Sequence, residues 1–324
     1  MSEPAFSPLP NETDHEGNPR RTGVEIEFSD LSEADAANVT ARCLNGTARQ
    51  LDDHDWVVED SDIGKLDVYL DTALRKGKSS MLKRIGLDAG REVIPVEIVT
   101  EPLTLEGLHH ADRLRIALKE AGATGSRAGL AYGFGLHLNP AIASTDAKGI
   151  TYPFIAYARI EDWMRSADPI DLSRRALPFT DPYPTKLLQA ICEAGFVTPD
   201  AAADIYLKNA PSRNYGLDML PIFAWLDEKK VTNALGEENS VSARPAFHFR
   251  LPDCRIDEPE WTLRREWDRW RLVEQVAADE GLLTRLMRAW TDDHQGLRTL
   301  TRSWSEETGD ILAEAGLIPA EKAA

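Results

Sequence analysis

The stretch Thr22-Gly23-Val24-Glu25-Ile26-Glu27-Phe28 decides how this chain is read. Val24, Ile26 and Phe28 alternate with Glu25 and Glu27, the period of a β-strand, in which successive side chains point to opposite faces. Three apolar groups therefore enter a core. Two carboxylates stand together on the other face, roughly 7 Å apart. Ionised carboxylates at that spacing repel unless a positive charge sits between them. A divalent cation is the usual solution, since carboxylate oxygens are the natural ligands of magnesium. Taken alone, the segment reads as a half-buried strand with a solvated acidic face. The strands elsewhere in the chain change that reading.

Trp56–Glu59 is a second short strand, running into the polar turn Asp60-Ser61-Asp62 before Gly64. Leu66–Thr72 alternates again, with Asp67, Tyr69 and Asp71 on one side, and the basic segment from Arg75 to Arg84 reads as an exposed hairpin loop. In Val93–Glu101, Val96 and Ile98 face one way and Glu97, Val99 and Glu101 the other, until Pro102 stops the strand. In Gly133–Asn139, Phe134, Leu136 and Leu138 oppose His137 and Asn139. Its glycines, Gly133 and Gly135, weaken a strand unless something approaches the backbone closely. In Ser242–Leu251, Phe247, Phe249 and Leu251 face inward and Ala246, His248 and Arg250 outward. Such one-sided patterning is the habit of antiparallel sheets. The outward faces would jointly present Glu25, Glu27, Glu97, Glu101, His137, Asn139, His248 and Arg250. Carboxylates and imidazole can hold a cation, and arginine takes phosphate oxygens, so this is the composition of a metal–phosphate site.

The rest of the chain supplies helices. Ser32 caps a helix to about Gly46, and Thr104 caps one whose apolar side is Leu105, Leu108, Leu114, Leu118 and Ala121, with Gly122 at its end. Tyr152 to Phe196 is mostly helical around a Pro-rich loop (Pro169, Pro178, Pro182, Pro184), a further helix spans about Asp200–Asn209, and Glu258–Asp279 forms a long helix carrying Trp261, Trp267 and Trp270. Residues 1–20, with four prolines, read as a mobile tail with little to bury, and 21–318 as a single domain. With 324 residues the chain is long enough for a sizeable core. Acids outnumber bases 54 to 37, for a net charge of −17, which argues against general nucleic-acid binding and against an anionic membrane surface. Cys43, Cys192 and Cys254 follow no ligand spacing and fit a reducing compartment. No apolar run approaches the ~20 residues that span a bilayer. Nor does the N-terminus have the build of a signal peptide, so a cytoplasmic protein is expected.

The ordered segments TGVEIEF, WVVEDSD, VEIVTEPL, GFGLHLNP, SRNYGLD and HFRLPD, the last followed by a Trp-rich helix, resemble the amidoligases over roughly residues 22 to 275. These are carboxylate–amine ligases similar in fold to glutamine synthetase and glutamate–cysteine ligase. The resemblance implies an α+β fold, a curved antiparallel sheet with helices packed on its outer face, and a reaction using ATP with Mg2+ or Mn2+. Its substrates would be small-molecule or peptide carboxylates and amines, joined through an acyl phosphate. Residue by residue, Glu25 and Glu27 match the metal-binding pair, Glu97 the acid of the second metal strand, and His137, with Asn139 beside it, the strand near metal and nucleotide. Arg213 and Asn214 match an Arg/Asn element at phosphate or substrate, and Arg250 the arginine facing the transferred phosphoryl group. Asp60 is the candidate to bind or deprotonate the incoming amine. The family's closing strand usually carries an acid where this chain has His248, which can ligate a metal but adds no negative charge. Two alternatives therefore stay open: a phosphotransferase of the same fold, and a catalytically degenerate nucleotide- or ligand-binding protein. A single zinc on His137, His248 and Glu25 is a third possibility.

Overall fold

In the computed structural model, residues 5–70, 94–126, 133–175, 180–237, 239–295 and 303–319 are described. The loop at 75–84, Asp71, Val93 and Pro178 lie outside them. Eight strands form one open sheet: β1 (Thr22–Phe28), β2 (Thr47–Gln50), β3 (Asp55–Ser61), β4 (Gly64–Leu70), β5 (Val96–Thr100), β6 (Leu136–Pro140), β7 (Leu217–Asp218) and β8 (His248–Phe249). Their order is β2-β3-β4-β5-β1-β6-β8-β7, and every pairing is antiparallel. The expected α+β class with an antiparallel sheet is what the chain adopts. The TGVEIEF strand lies inside the sheet, between β5 and β6.

The alternation does the sorting. Val24, Ile26 and Phe28 share one buried apolar cluster with Val96, Ile98, Leu136, Leu138, Phe247 and Phe249, and with residues from the helices. The helices start where their caps sit. Ser32 accepts from Asp35 N–H ahead of Glu33–Cys43, and Thr104 from Gly107 N–H ahead of Leu105–Glu120. Gly122, one position past the Ala121 cap, has φ +107°, a conformation that glycine adopts without steric cost. No described helix is long and apolar enough to cross a membrane.

Three expectations are corrected. The helix of the tryptophans begins at Leu263, because Thr262 takes the extended cap conformation and accepts from Arg265 N–H; Trp261 precedes it, fully buried. The last long strand shrinks to His248–Phe249, with one bridge from Ala246 to Ala141; Pro245 offers no N–H to extend the ladder. Residues 1–20 have more to bury than their composition suggests. Phe6 and Leu9 enter the core, Trp267 Nε1–H donates to Ser7 O, and Arg20 makes a buried ion pair with Glu274 at 2.6 Å.

Candidate functional site

Sheet register builds the site. Glu27 of β1 lies opposite Glu97 of β5, and Glu25 lies between Val99 of β5 and His137 of β6. Facing acids destabilise a sheet by themselves, so the Glu27–Glu97 pair marks a place where a cation would be welcome. Ligand atoms of Glu27, Glu97 and His137 all fall within 4.8 Å of one another, and so do those of Glu25, His137 and His248. The two sets share His137. Four strands thus bring together five residues from positions 25, 27, 97, 137 and 248, and all but Glu25 are buried.

The hydrogen bonds fix these groups. Glu25 Oε2 is 2.8 Å from His137 Nδ1, and Glu25 Oε1 accepts from Asn139 Nδ2 at 2.7 Å. Asn139 Oδ1 in turn accepts from Arg244 Nη2 at 2.7 Å. Glu27 Oε2 accepts from Gly135 N–H at 2.8 Å, while its Oε1 lies 3.8 Å from His137 Nε2. His248 Nδ1 is 3.2 Å from Asp218 Oδ2, and Asp218 also accepts from Arg213 Nε and from Leu220 N–H. The other ring nitrogen, His248 Nε2, is buried without a hydrogen-bond partner, 3.9 Å from Glu25 Oε2.

Electrostatics agree with this arrangement. Burial pushes the Glu25 carboxyl up, but the His137 bond and the fields of His137, His248 and Arg244 outweigh it and hold it well below the usual carboxylate range. Burial pushes His248 down to about 4 against the pull of Asp218, so its ring is neutral at pH 7. Neutral imidazole with a free lone pair, beside an ionised carboxylate, is a donor set for a divalent cation. The orphaned His248 Nε2 is what carries the fit, because a buried acceptor without a partner costs roughly 1–3 kcal/mol.

Among the other predicted residues, Arg213 is held by Asp218 and by Ser240 O at 2.8 Å, and Asn214 O accepts from Asp181 N–H. Arg250 Nη1 donates to Arg213 O at 2.6 Å, and its Nε is buried without a partner. Asp60 is not brought to this cluster. It is exposed near the end of β3 with φ +54°, and β4 and β5 stand between its strand and β1. Glu101 is likewise turned away, past the end of β5, where it accepts from Lys65 N–H.

Three residues escaped the sequence reading. Asp218 is the last letter of SRNYGLD and is fully buried; a lone acid in the two-residue strand β7 carries no periodic signal. Arg244 shares the even-numbered parity of Ala246, His248 and Arg250, so following the alternation across Pro245 would have found it. Arg174 has no local signal at all. Its guanidinium donates to the carbonyls of Arg250, Leu251 and Pro252. A Cβ on Gly135 would meet Arg174 Nη2 at 2.5 Å and His137 Nε2 at 2.8 Å, which is the close approach that a glycine in this strand implied.

The family described as putative amidoligase enzyme matches residues 18–272. The chain belongs to that family. No curated protein and no solved structure matches it. The amidoligase match supports a ligase-type enzyme. Its span runs from just before β1 into the helix Leu263–Ala278, so every residue of the candidate site belongs to the amidoligase region.

Proposed function

We propose that the protein is an ATP-dependent carboxylate–amine ligase with a glutamine synthetase-like catalytic sheet, forming an amide through an acyl phosphate at a divalent-metal site. The observation that carries this reading is the convergence of Glu25, Glu27, Glu97, His137 and His248 from four strands on one face. A divalent ion there, Mg2+ or Mn2+, would offset the charge of phosphate oxygens and let a substrate carboxylate approach a triphosphate. Glu25, Glu27 and Glu97 would hold it with the two imidazoles. Phosphoryl transfer needs positioning and charge stabilisation more than covalent help, and this chain supplies both through arginine. Arg250, with an uncommitted buried Nε, faces the transferred group; Arg213 and Asn214 sit in the adjoining loop, and Asn139 beside the metal acids. Arg244, joined to Glu25 through Asn139 and about one-third exposed, is placed to receive the acid substrate or a phosphate oxygen. Removing the Arg250 guanidinium should cost roughly 3–4 kcal/mol of transition-state stabilisation, on the order of a hundredfold or more in kcat. The base that receives the amine's proton is not assigned to Asp60, given its place in the sheet.

The test is ADP formation across a panel of acid and amine pairs with Mg2+ or Mn2+, with Glu27→Gln as the control. ADP release that needs both an acid and an amine, and falls at least about a hundredfold in Glu27→Gln, is the expected result. A control as active as wild type removes Glu27 from the mechanism, and ADP release indifferent to the amine makes the protein a phosphotransferase. His248 in place of an acid is the one feature favouring a degenerate binding protein, whose mark would be ATP binding without turnover.

A further inference from the structure

The two ring nitrogens of His248 are differently placed. Asp218 is fully buried and accepts from Arg213 Nε at 3.1 Å and from Leu220 N–H at 3.0 Å. A carboxylate only accepts, so the His248 Nδ1 that lies 3.2 Å from it bears the hydrogen and Nε2 bears the lone pair. That lone pair points toward Glu25 Oε2, 3.9 Å away, with no partner of its own. Two acceptors in that relation are the two sides of a coordination site. The carboxylate–histidine arrangement behind it is the one that fixes tautomer and ring orientation in metal-binding histidines. His137 supplies the third donor, since ligand atoms of Glu25, His137 and His248 all fall within 4.8 Å of one another. Its Nδ1 is bound to Glu25 and its Nε2 faces Glu27 at 3.8 Å. A doubly protonated His248 bridging two carboxylates does not fit, because 3.9 Å is beyond hydrogen-bond reach.

We propose that the ion held by Glu25, His137 and His248 is a first-row transition divalent cation ligated through imidazole nitrogen, in preference to magnesium, and that Asp218 is the positioning residue that aims His248 Nε2 at it. Magnesium takes oxygen ligands and dehydrates reluctantly, whereas imidazole suits transition ions. Each histidine in the set therefore shifts selectivity away from magnesium. The inference rests on the ligase reading for the presence of a divalent ion at this face, and its test uses no turnover.

Chelator-stripped full-length protein is titrated with Mn2+ and with Mg2+, and the Mn2+-loaded form is examined by pulsed electron paramagnetic resonance for 14N coupling. Wild type is expected to bind Mn2+ more tightly than Mg2+ and to show histidine nitrogen coupling. His248→Glu, an oxygen donor at the same place, should narrow that ratio and weaken the coupling. Asp218→Asn should lower Mn2+ affinity by about 10- to 100-fold while the His137 coupling persists. Equal affinity for the two ions, or no 14N coupling in wild type, overturns the proposal whether or not either variant folds. Transition-ion preference without ADP formation would sink the ligase reading alone. ADP formation with Mg2+ bound as tightly as Mn2+ would sink this inference alone.

Discussion

Gly135 shows how much one missing methyl group decides. Its backbone N–H donates to Glu27, and the space a Cβ would fill is occupied by the tips of Arg174 and His137. Arg174 cannot simply swing aside, because its guanidinium is buried among three backbone carbonyls and Asp253. Gly135→Ala should therefore destabilise the fold by about 1–3 kcal/mol, the usual cost of overpacking. It should also weaken Mn2+ binding through His137. Thermal unfolding and metal titration of the same preparation would check both; an alanine variant with wild-type Tm and metal affinity would show that the strand has room to spare. The glycine and His137 were both legible in the sequence, since they interrupt a strand pattern in ways that packing alone does not require. Arg174 was not, because nothing in its own neighbourhood says that it reaches back to β6.

At the scale of elements, alternation is a strong signal where a strand has one buried face and a weak one elsewhere. β1, β5 and β6 were readable for that reason. β2 (Thr47–Gln50) is largely exposed and was missed, and β7 is only two residues long. The N-terminal segment was misjudged because its apolar residues, Phe6 and Leu9, follow no period; they are buried by where the chain runs. Its anchor is Arg20, whose two Nη atoms each contact Glu274 at 2.6 Å while also donating to Asn11 O and Ala141 O. Breaking a buried ion pair from one side leaves a charge without its partner, at a cost of about 3–5 kcal/mol. Arg20→Ala should lose stability on that order in denaturant unfolding. Arg20→Ala with Glu274→Gln should recover part of it, because the amide oxygen still accepts from Trp270 Nε1, which now bonds Glu274 at 2.8 Å. If the double variant is no more stable than the single one, the ion pair is not what the segment contributes.

Across the whole molecule, the helical layer behind the sheet carries a cluster of buried tyrosines. Tyr157 donates to Glu161, Tyr183 to Leu217 O and Tyr206 to Ser212 O, and burial pushes all three hydroxyls well above their ordinary value. The sign follows from proton counting. The unfolded chain releases these protons near pH 10 and the native one does not, so stability is present below about pH 10 and is lost as pH climbs beyond it. Absorbance titration should show tyrosinate appearing in two stages, the second coinciding with loss of helical circular dichroism. All seven tyrosines ionising in one reversible step near pH 10 would contradict this. Whole-molecule topology also explains why the site could be read only in pieces: its residues span positions 25 to 248, and their meeting depends on β5 and β6 flanking β1, and on β8 flanking β6.

The sequence by itself determined which face of each strand is apolar, hence the antiparallel α+β class, and which acids and imidazoles were available to the opposite face. Side-chain parity along a strand is a local property, fixed by backbone geometry, and it survives without knowledge of neighbours. Only the tertiary structure decided that Glu27 stands against Glu97, that Asp60 and Glu101 stand apart, and that Asp218 and Arg174 reach the site from a two-residue strand and a short helix. Register and long-range approach are set by how the layers pack, and no single segment contains that information.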